Sequence, residues 1–554
     1  MNRAQLHFST HKHAYIIAVL TLAFFCSRFY NYKSIPPFND EAFYVEYAVK
    51  NFQDFNQYKF YSFKANNQFK PPLQYWIAAL FLKMGVDDPF NGCRFSVIFL
   101  STFVFLIFLV FLMANFSPGT TCLFGILYIC SFMHIWHQRV FYNESYLVNF
   151  FMLYFVSCSC VFHKNKMALW GLVAIIMGTC MLLIKVSGRG LFALPVALLF
   201  LSWIEGFKYN GFKKSLLNKV LLKKLLLTIV IVVVPFILFW LIMPKDLLAL
   251  SKQDPLINYW SYSITDKNFI GMHRVREFYL FIDDIITNHV HTSGYLLSIL
   301  ILGGMLFAFL SLFIKRISVK QANRILFVYI LLLIPTIVMF KGRGIPFHGF
   351  DYRFYLPYSL LLFLFFADWA NGIINYIFPS KKKYVFAAVC MLMILPLFEK
   401  REVYLTYYGA GYDSGISWPY KLRGDLVNIQ ALNVYPTVEK LGQLESGVLF
   451  FDAQLGVPAN ALAALQPYKF KHITLFPIGE TSASRLITYS ADAIKKYFKD
   501  NKKFQHAYIH VVLNYSHPKM NKNLFDSKLC SNRVEIKNQY NVTSESATYL
   551  CFIY

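Results

Sequence analysis

Long apolar runs separated by short polar stretches fill the chain from about residue 14 to residue 398. A helix needs roughly 20 apolar residues to cross the hydrocarbon core of a bilayer, and about 17 is a practical minimum. The pattern therefore predicts about eleven membrane spans, which cover residues 14–30, 93–114, 119–137, 145–163, 167–184, 189–205, 225–243, 294–314, 325–341, 354–376 and 384–398. The first run lacks the small-residue cleavage site of a signal peptide, so we expect it to be retained as a signal anchor.

The apolar segment 73–83 is too short to cross a bilayer and follows Pro71-Pro72 directly, so it predicts an interfacial helix. Placing this helix on the surface fixes the topology. The basic loops then share the side of the N-terminus, as the positive-inside rule requires, and they cover residues 163–166, 208–224, 315–324 and 381–383. The opposite, extracytoplasmic side receives residues 31–92, 138–144, 185–188, 244–293, 341–353 and the tail from 399.

The tail has the composition of a soluble domain. Alternating and apolar runs predict strands at residues 448–451, 472–476, 507–513 and 549–554. Helical spacing is found at 458–465 and 491–498. We therefore expect a membrane domain over 1–398 and a small extracytoplasmic α/β domain over 399–554. Cys530 and Cys551 in this domain are candidates for a disulfide in an oxidising compartment.

Composition agrees with a polytopic α-helical membrane protein. Of 554 residues, 57% are hydrophobic and only 15% are charged, against roughly 25% charged in soluble domains. The net charge of +25 is concentrated in the short basic loops, which indicates helix orientation and contact with membrane lipids rather than nucleic acid binding. No Cys-x-x-Cys spacing of a metal site is present.

The first extracytoplasmic loop, residues 31–92, is dense in carboxylates, aromatic residues and prolines. Asp40 begins a predicted helix and has Tyr44 at helical spacing, an arrangement that suits a general base beside a sugar-stacking ring. The alternative is that Asp40 only caps the helix. Lys70 precedes Pro71-Pro72 at the membrane surface, where a cation binds a lipid phosphate or simply extends towards the headgroups.

These two motifs together carry a family resemblance. Asp40-Glu41 with Tyr44, and Lys70-Pro71-Pro72 with Tyr75 and Trp76, resemble the first loop of the bacterial aminoarabinose transferase and protein O-mannosyltransferase group. These are glycosyltransferases of the C fold that use polyprenyl-phosphate sugars. The resemblance implies that Asp40 is catalytic, that Lys70 contacts the carrier phosphate, and that Glu41, Tyr44 and Tyr75 contact sugar or acceptor. It covers roughly residues 14–398.

Further positions follow from the same resemblance. Glu144 stands where the family often has a second-loop Asp, and Lys185 or Arg189 takes the place of a phosphate-binding third-loop lysine. Arg353, in a motif similar to Arg-Tyr-x-x-Pro, is another phosphate candidate. In the long loop 244–293, Tyr259 and Trp260 are candidates for stacking on a sugar.

Two departures from the family bear on the sugar and on metal binding. Phe69 replaces a Glu that is a metal-ligand candidate in some aminoarabinose transferases, and Phe43 replaces an Arg that follows the catalytic Asp. We therefore expect no metal site at these positions, and aminoarabinose as the sugar is not supported. A divalent metal stays open because the loop 244–293 contains the histidines His273, His289 and His291.

The sequence thus predicts a glycosyltransferase of the bacterial inner membrane, with its active site and C-terminal domain on the periplasmic side. It would move a sugar, with inversion, from a polyprenyl-phosphate carrier to lipid A, another envelope glycan or a protein. Two alternatives remain. One is a flippase or transporter of lipid-linked sugars, and the other is a membrane scaffold for the C-terminal domain.

Overall fold

The computed structural model describes part of the chain in detail. Its residues are 3–35, 37, 40–56, 72–163, 167–210, 219–242, 299, 301–306, 320–341, 352–399, 433–452, 457–478, 490–501, 504–512, 530, 532–536 and 548–553.

Helices dominate the described residues before position 400. In chain order they are Arg3–Phe29 (α1), Asp40–Asn56 (α2), Leu73–Leu82 (α3), Pro89–Asn115 (α4), Pro118–Cys130 (α5), Phe132–His137 (α6), Asn143–His163 (α7), Met167–Ile184 (α8), Ala193–Asn210 (α9), Lys219–Ile242 (α10), Lys320–Lys341 (α11), Tyr352–Ile377 (α12) and Lys382–Glu399 (α13). Short 3-10 helices cover Tyr32–Ser34 and Val186–Phe192.

Described helices match ten of the eleven predicted spans closely, with two corrections. The predicted span 294–314 lies mostly outside the described residues. The predicted span 119–137 is interrupted at Ser131, whose extended backbone separates α5 from α6. The predicted span 189–205 becomes α-helical only at Ala193, because a 3-10 helix precedes it. The segment predicted as 73–83 is the ten-residue helix α3, about 15 Å long and too short to cross the bilayer core.

By length and apolar composition, five described helical segments are able to cross a membrane: Pro89–Asn115, Asn143–Phe162, Met167–Ile184, Val220–Ile242 and Leu356–Ile377. Other apolar helices are shorter, so the number of spans stays a prediction. The segments differ in burial. In an 18-residue stretch of α7, 94% of the residues are buried inside the protein, whereas the corresponding share in α10 is 22%. Helix α7 packs against α4, α8, α9 and α12 and is the central helix of the bundle.

The C-terminal residues form the predicted α/β structure. Its five strands are Gly447–Asp452 (β1), Ile473–Ile478 (β2), His506–Val512 (β3), Asn532–Ile536 (β4) and Thr548–Ile553 (β5). They form one sheet with the order β2-β1-β3-β5-β4. Strands β1, β2 and β3 are parallel, whereas β5 runs antiparallel to both β3 and β4. Strand β4 was not predicted. The helices of this part are Val434–Gly442 (α14), Val457–Lys469 (α15) and Ala491–Asp500 (α16).

The C-terminal part rests on the first loop. Helix α15 packs against α2, and both belong to a hydrophobic core that is continuous with the bundle. At the edge of this contact the rings of Phe90 and Tyr435 lie 6.5 Å apart. The side chain of Tyr435 is partly buried and its hydroxyl is enclosed. This burial raises the pKa of its phenol well above the usual value. Helix α2 is thus held between the bundle and helix α15 of the C-terminal part.

A buried ion pair fixes the start of α2. Glu41 and Arg94 are both fully buried, and their side chains meet in a bidentate contact, with Nε–Oε1 at 2.8 Å and Nη2–Oε2 at 2.6 Å. The backbone N–H of Phe141 donates to the same Oε1 at 2.9 Å. Arg94 also donates from Nη1 to the carbonyl of Ile35 at 2.6 Å. These bonds join the first loop, α4 and the second loop at one point.

The Arg94→Met variant should leave the Glu41 carboxylate buried without a counter-charge. We expect the free energy of unfolding to fall by about 3–5 kcal/mol, as when one partner of a buried pair is removed. Chemical denaturation in detergent micelles measures this loss. The double variant Glu41→Leu/Arg94→Met removes both charges, and we expect it to recover much of the stability.

A matched control is the pair of Lys50 and Glu46 on the surface of α2, with Nζ and Oε1 2.5 Å apart. Lys50 is 47% exposed, so Lys50→Met should cost no more than about 1 kcal/mol. Equal losses in Arg94→Met and Lys50→Met would contradict the assigned role of the buried pair.

Cys530 and Cys551 form a disulfide, as the sequence allowed, and it ties residue 530 to strand β5. Removing a bridge that closes a loop of this size costs about 2–4 kcal/mol. We therefore expect Cys551→Ser to lower the melting temperature, whereas Cys26→Ser, at an exposed free thiol, leaves it unchanged. Peptide mapping of unreduced protein should recover residues 530 and 551 in one linked species. Alkylation of both thiols without reductant would contradict the bridge.

Candidate functional site

The candidate site begins at the N-terminus of α2. Asp40 is the first residue of this helix, and only its backbone position is described. Glu41 follows, and both of its carboxylate oxygens are bound by Arg94, with Phe141 as a further donor. The predicted contact of Glu41 with sugar or acceptor stays a prediction. In this structure its carboxylate joins the start of α2 to α4 and to the second loop.

The second loop connects α6 to α7, and it is fixed by arginines at its edge. The side chain of Arg139 is buried and donates to the carbonyl of Tyr30 at 2.6 Å and to that of Arg28 at 3.2 Å, at the end of α1. The Nε of Arg28 donates to Oε1 of Gln138 at 3.1 Å. Charge-assisted bonds of this kind are the stronger ones, so the loop before Glu144 is held firmly against the first helix.

Two predicted site residues from different loops form an ion pair. Lys185, at the end of α8, binds through Nζ the Oε1 atom of Glu144 in the first turn of α7. The side chain of Lys185 is 19% exposed and that of Glu144 only 3%. Gly188 allows this third loop to approach α7, because a Cβ there would lie 2.8 Å from Cδ1 of Leu147. The second and third loops therefore meet at the start of α7.

Aromatic side chains fill the space between the first and second loops. The rings of Tyr44 and Tyr142 lie 5.8 Å apart edge to face, and those of Tyr44 and Tyr75 lie 6.4 Å apart. Tyr44 is 4% exposed and Tyr75 is 2% exposed. In this conformation neither ring has an open face, so stacking on a sugar stays a prediction. On the same helix, burial and the charge of Glu46 raise the pKa of Tyr47 to about 12.

The other predicted residues are only partly placed. Lys70, Tyr259 and Trp260 lie outside the described residues. Arg353 is placed by its backbone in the first turn of α12. Two turns further along that helix, the hydroxyl of Ser359 lies 2.9 Å from Nε2 of His134 in α6, which brings the start of α12 towards the second loop.

Arg189 lies in the 3-10 helix after Lys185 and is partly buried. Lys185 and Arg189 thus occupy the same third loop, and the choice between them as the phosphate ligand stays open. Within the described ranges, no group of three or more His, Cys, Asp or Glu side chains is placed to hold a metal ion. The histidines of the loop 244–293 lie outside those ranges.

Sequence reasoning missed the buried arginines that build this end of the bundle. Arg94 lies inside the predicted span 93–114, and Arg28 lies inside the predicted span 14–30. Both are fully buried. A charge within an apolar run is costly in a membrane and is a signal of a buried partner, so each could have been singled out, although its partner could not.

No family model matches the sequence, and no curated protein matches it. Solved structures do match the fold. The structure of ArnT from Cupriavidus metallidurans bound to undecaprenyl phosphate has a TM-score of 0.53 over 98% of each chain, with 14% identity. The apo structure of ArnT gives 0.50 over the same shares, with 12% identity.

A second kind of protein has the same fold. The oligosaccharyltransferase of Archaeoglobus fulgidus, in a complex with zinc and sulfate, has a TM-score of 0.50 over 89% of this chain and 67% of its own, with 11% identity. At such identities the likeness concerns the fold, and it confirms the predicted polytopic helical architecture. The chain therefore shares the polytopic helical fold of these two solved proteins.

Proposed function

We propose that this protein is a membrane glycosyltransferase that moves a sugar from a polyprenyl-phosphate carrier to an extracytoplasmic acceptor. The observation that supports it most is the ion pair of Glu144 and Lys185. It joins the second and third loops, while the bond from Phe141 to Glu41 joins the second loop to the start of α2. Three loops that the sequence assigned to one site thus meet at one end of the bundle.

In the proposed reaction, Asp40 accepts the proton of the acceptor hydroxyl as its oxygen attacks the anomeric carbon. The bond from that carbon to the phosphate oxygen breaks with inversion, and its electron pair stays on the carrier phosphate. Lys70, Lys185 or Arg189, and Arg353 neutralise the charge that develops on this phosphate. Glu144 orients the acceptor, which is lipid A, another envelope glycan or a protein.

The side of the membrane is part of the proposal. The disulfide of Cys530 and Cys551 supports an oxidising compartment for the C-terminal domain, and the basic loops support an opposite, cytoplasmic side. We therefore place the protein in a bacterial inner membrane with its site in the periplasm. The carrier bound to ArnT, undecaprenyl phosphate, supports a polyprenyl-phosphate donor.

One prediction of the proposed reaction concerns the base. Asp40→Asn keeps the size of the side chain but removes its ability to accept a proton at neutral pH. We expect transfer to fall at least about 100-fold, within the range that general-base catalysis contributes, while binding of the carrier is retained. Transfer is measured with purified protein in nanodiscs and a radiolabelled polyprenyl-phosphate sugar. Glu46→Gln, on the same helix, should keep the activity of the unsubstituted protein.

Near-normal turnover by Asp40→Asn would contradict the base assignment. Loss of both carrier binding and turnover would instead show that Asp40 acts in donor binding or in folding. A melting curve of the variant distinguishes these two roles.

Another prediction of the proposed reaction concerns Lys185. Replacing it with Met removes a charge-assisted contact worth about 1.5–3 kcal/mol, so KM for the carrier should rise roughly 10- to 100-fold. Because this change also leaves Glu144 without its counter-charge, the double variant Glu144→Gln/Lys185→Met is needed. If Lys185 binds phosphate, the double variant keeps the raised KM. Recovery of KM there would assign Lys185 to holding Glu144 alone.

Lys381→Met is the matched control, since Lys381 is an exposed lysine at the end of the bundle far from the candidate site. It should leave both KM and turnover unchanged.

A further inference from the structure

A cavity lies at the end of the bundle opposite the candidate site. Its volume is about 400 Å³, within the range of ligand pockets. Helices α4, α7, α9 and α11 line it near Asn115, Phe162, Ser202 and Arg324. Along α4, Asn115 lies 21 residues beyond Arg94, which corresponds to about 30 Å. The cavity is therefore separated from the candidate site by roughly the thickness of the bilayer core.

The cavity has an apolar interior and a polar rim. Phe111, Phe155 and Leu201 contribute aromatic and aliphatic walls. At the rim, the Nε2 of Gln321 donates to the carbonyl of Asn115 at 3.4 Å, which joins α11 to α4. Arg324, one turn further along α11, places an exposed cation at the same rim. A molecule that fits both parts has an apolar chain and a negatively charged head.

We propose that this cavity binds an anionic phospholipid of the leaflet on that side, with an acyl chain among the aromatic side chains and its phosphate at Arg324. Charge complementarity supports this occupant. The chain before α11 carries Lys315, Arg316 and Lys320, and basic pockets between membrane helices bind anionic headgroups. The site is separate from the proposed transfer reaction, and its lipid is a structural ligand rather than the sugar carrier.

Native mass spectrometry of the full chain tests this proposal, with dioleoyl phosphatidylglycerol or dioleoyl phosphatidylcholine added to protein in detergent. We expect phosphatidylglycerol to bind more tightly to the unsubstituted protein. Arg324→Gln should weaken that binding about fivefold, the effect of one surface charge. Ser202→Phe fills the cavity and should weaken the binding of both lipids.

Lys382→Gln is the control, because it removes one exposed charge at the same end of the bundle but outside the cavity. It should leave lipid binding unchanged. The proposal is overturned if the unsubstituted protein binds the two lipids equally, if Arg324→Gln binds phosphatidylglycerol as well as the unsubstituted protein does, or if Lys382→Gln weakens binding as much as Arg324→Gln. Melting curves confirm that each variant is folded, and Arg324→Gln alone decides the outcome if Ser202→Phe does not fold.

Discussion

The buried ion pair of Glu41 and Arg94 is the contact on which the position of the first loop depends. Removing two charges from water is costly, and only good geometry with further hydrogen bonds offsets that cost. Here the carbonyl of Ile35 and the N–H of Phe141 supply those bonds. An apolar pair would fill the same volume but would leave these two backbone groups without those partners. The ion pair therefore specifies where α2 begins, and with it the place of Asp40.

The second ion pair has a different character. Lys185 keeps part of its surface in contact with solvent, whereas Glu144 is almost fully buried. A partly exposed ammonium is accessible to an incoming phosphate in a way that the guanidinium of Arg94 is not. In the proposed reaction, the carrier phosphate competes with Glu144 for Lys185, so donor binding and the position of Glu144 are coupled. Helix α15 of the C-terminal part also packs against α2. The C-terminal part therefore helps to position the helix that begins with Asp40.

The sequence predicted the elements much better than their contacts. Apolar length alone located α8 at Met167–Ile184, and alternation located four of the five strands. It missed the break at Ser131, because the residues on both sides are apolar and hydropathy does not register backbone conformation. Strand β4 was missed because Asn532–Ile536 is short and half polar. The bond between Glu41 and Arg94 was not predicted, because the two residues lie 53 positions apart in the sequence.

The proposed reaction requires that the first, second and third loops share one chamber that receives the carrier phosphate. A cryo-EM map of the protein in nanodiscs with added undecaprenyl phosphate tests it most directly. We expect phosphate density within hydrogen-bonding distance of Lys185 or Arg189, with the carboxylate of Asp40 facing the same chamber. Phosphate density at the opposite end of the bundle, or Asp40 directed away from the phosphate, would show that these loops do not form the donor site.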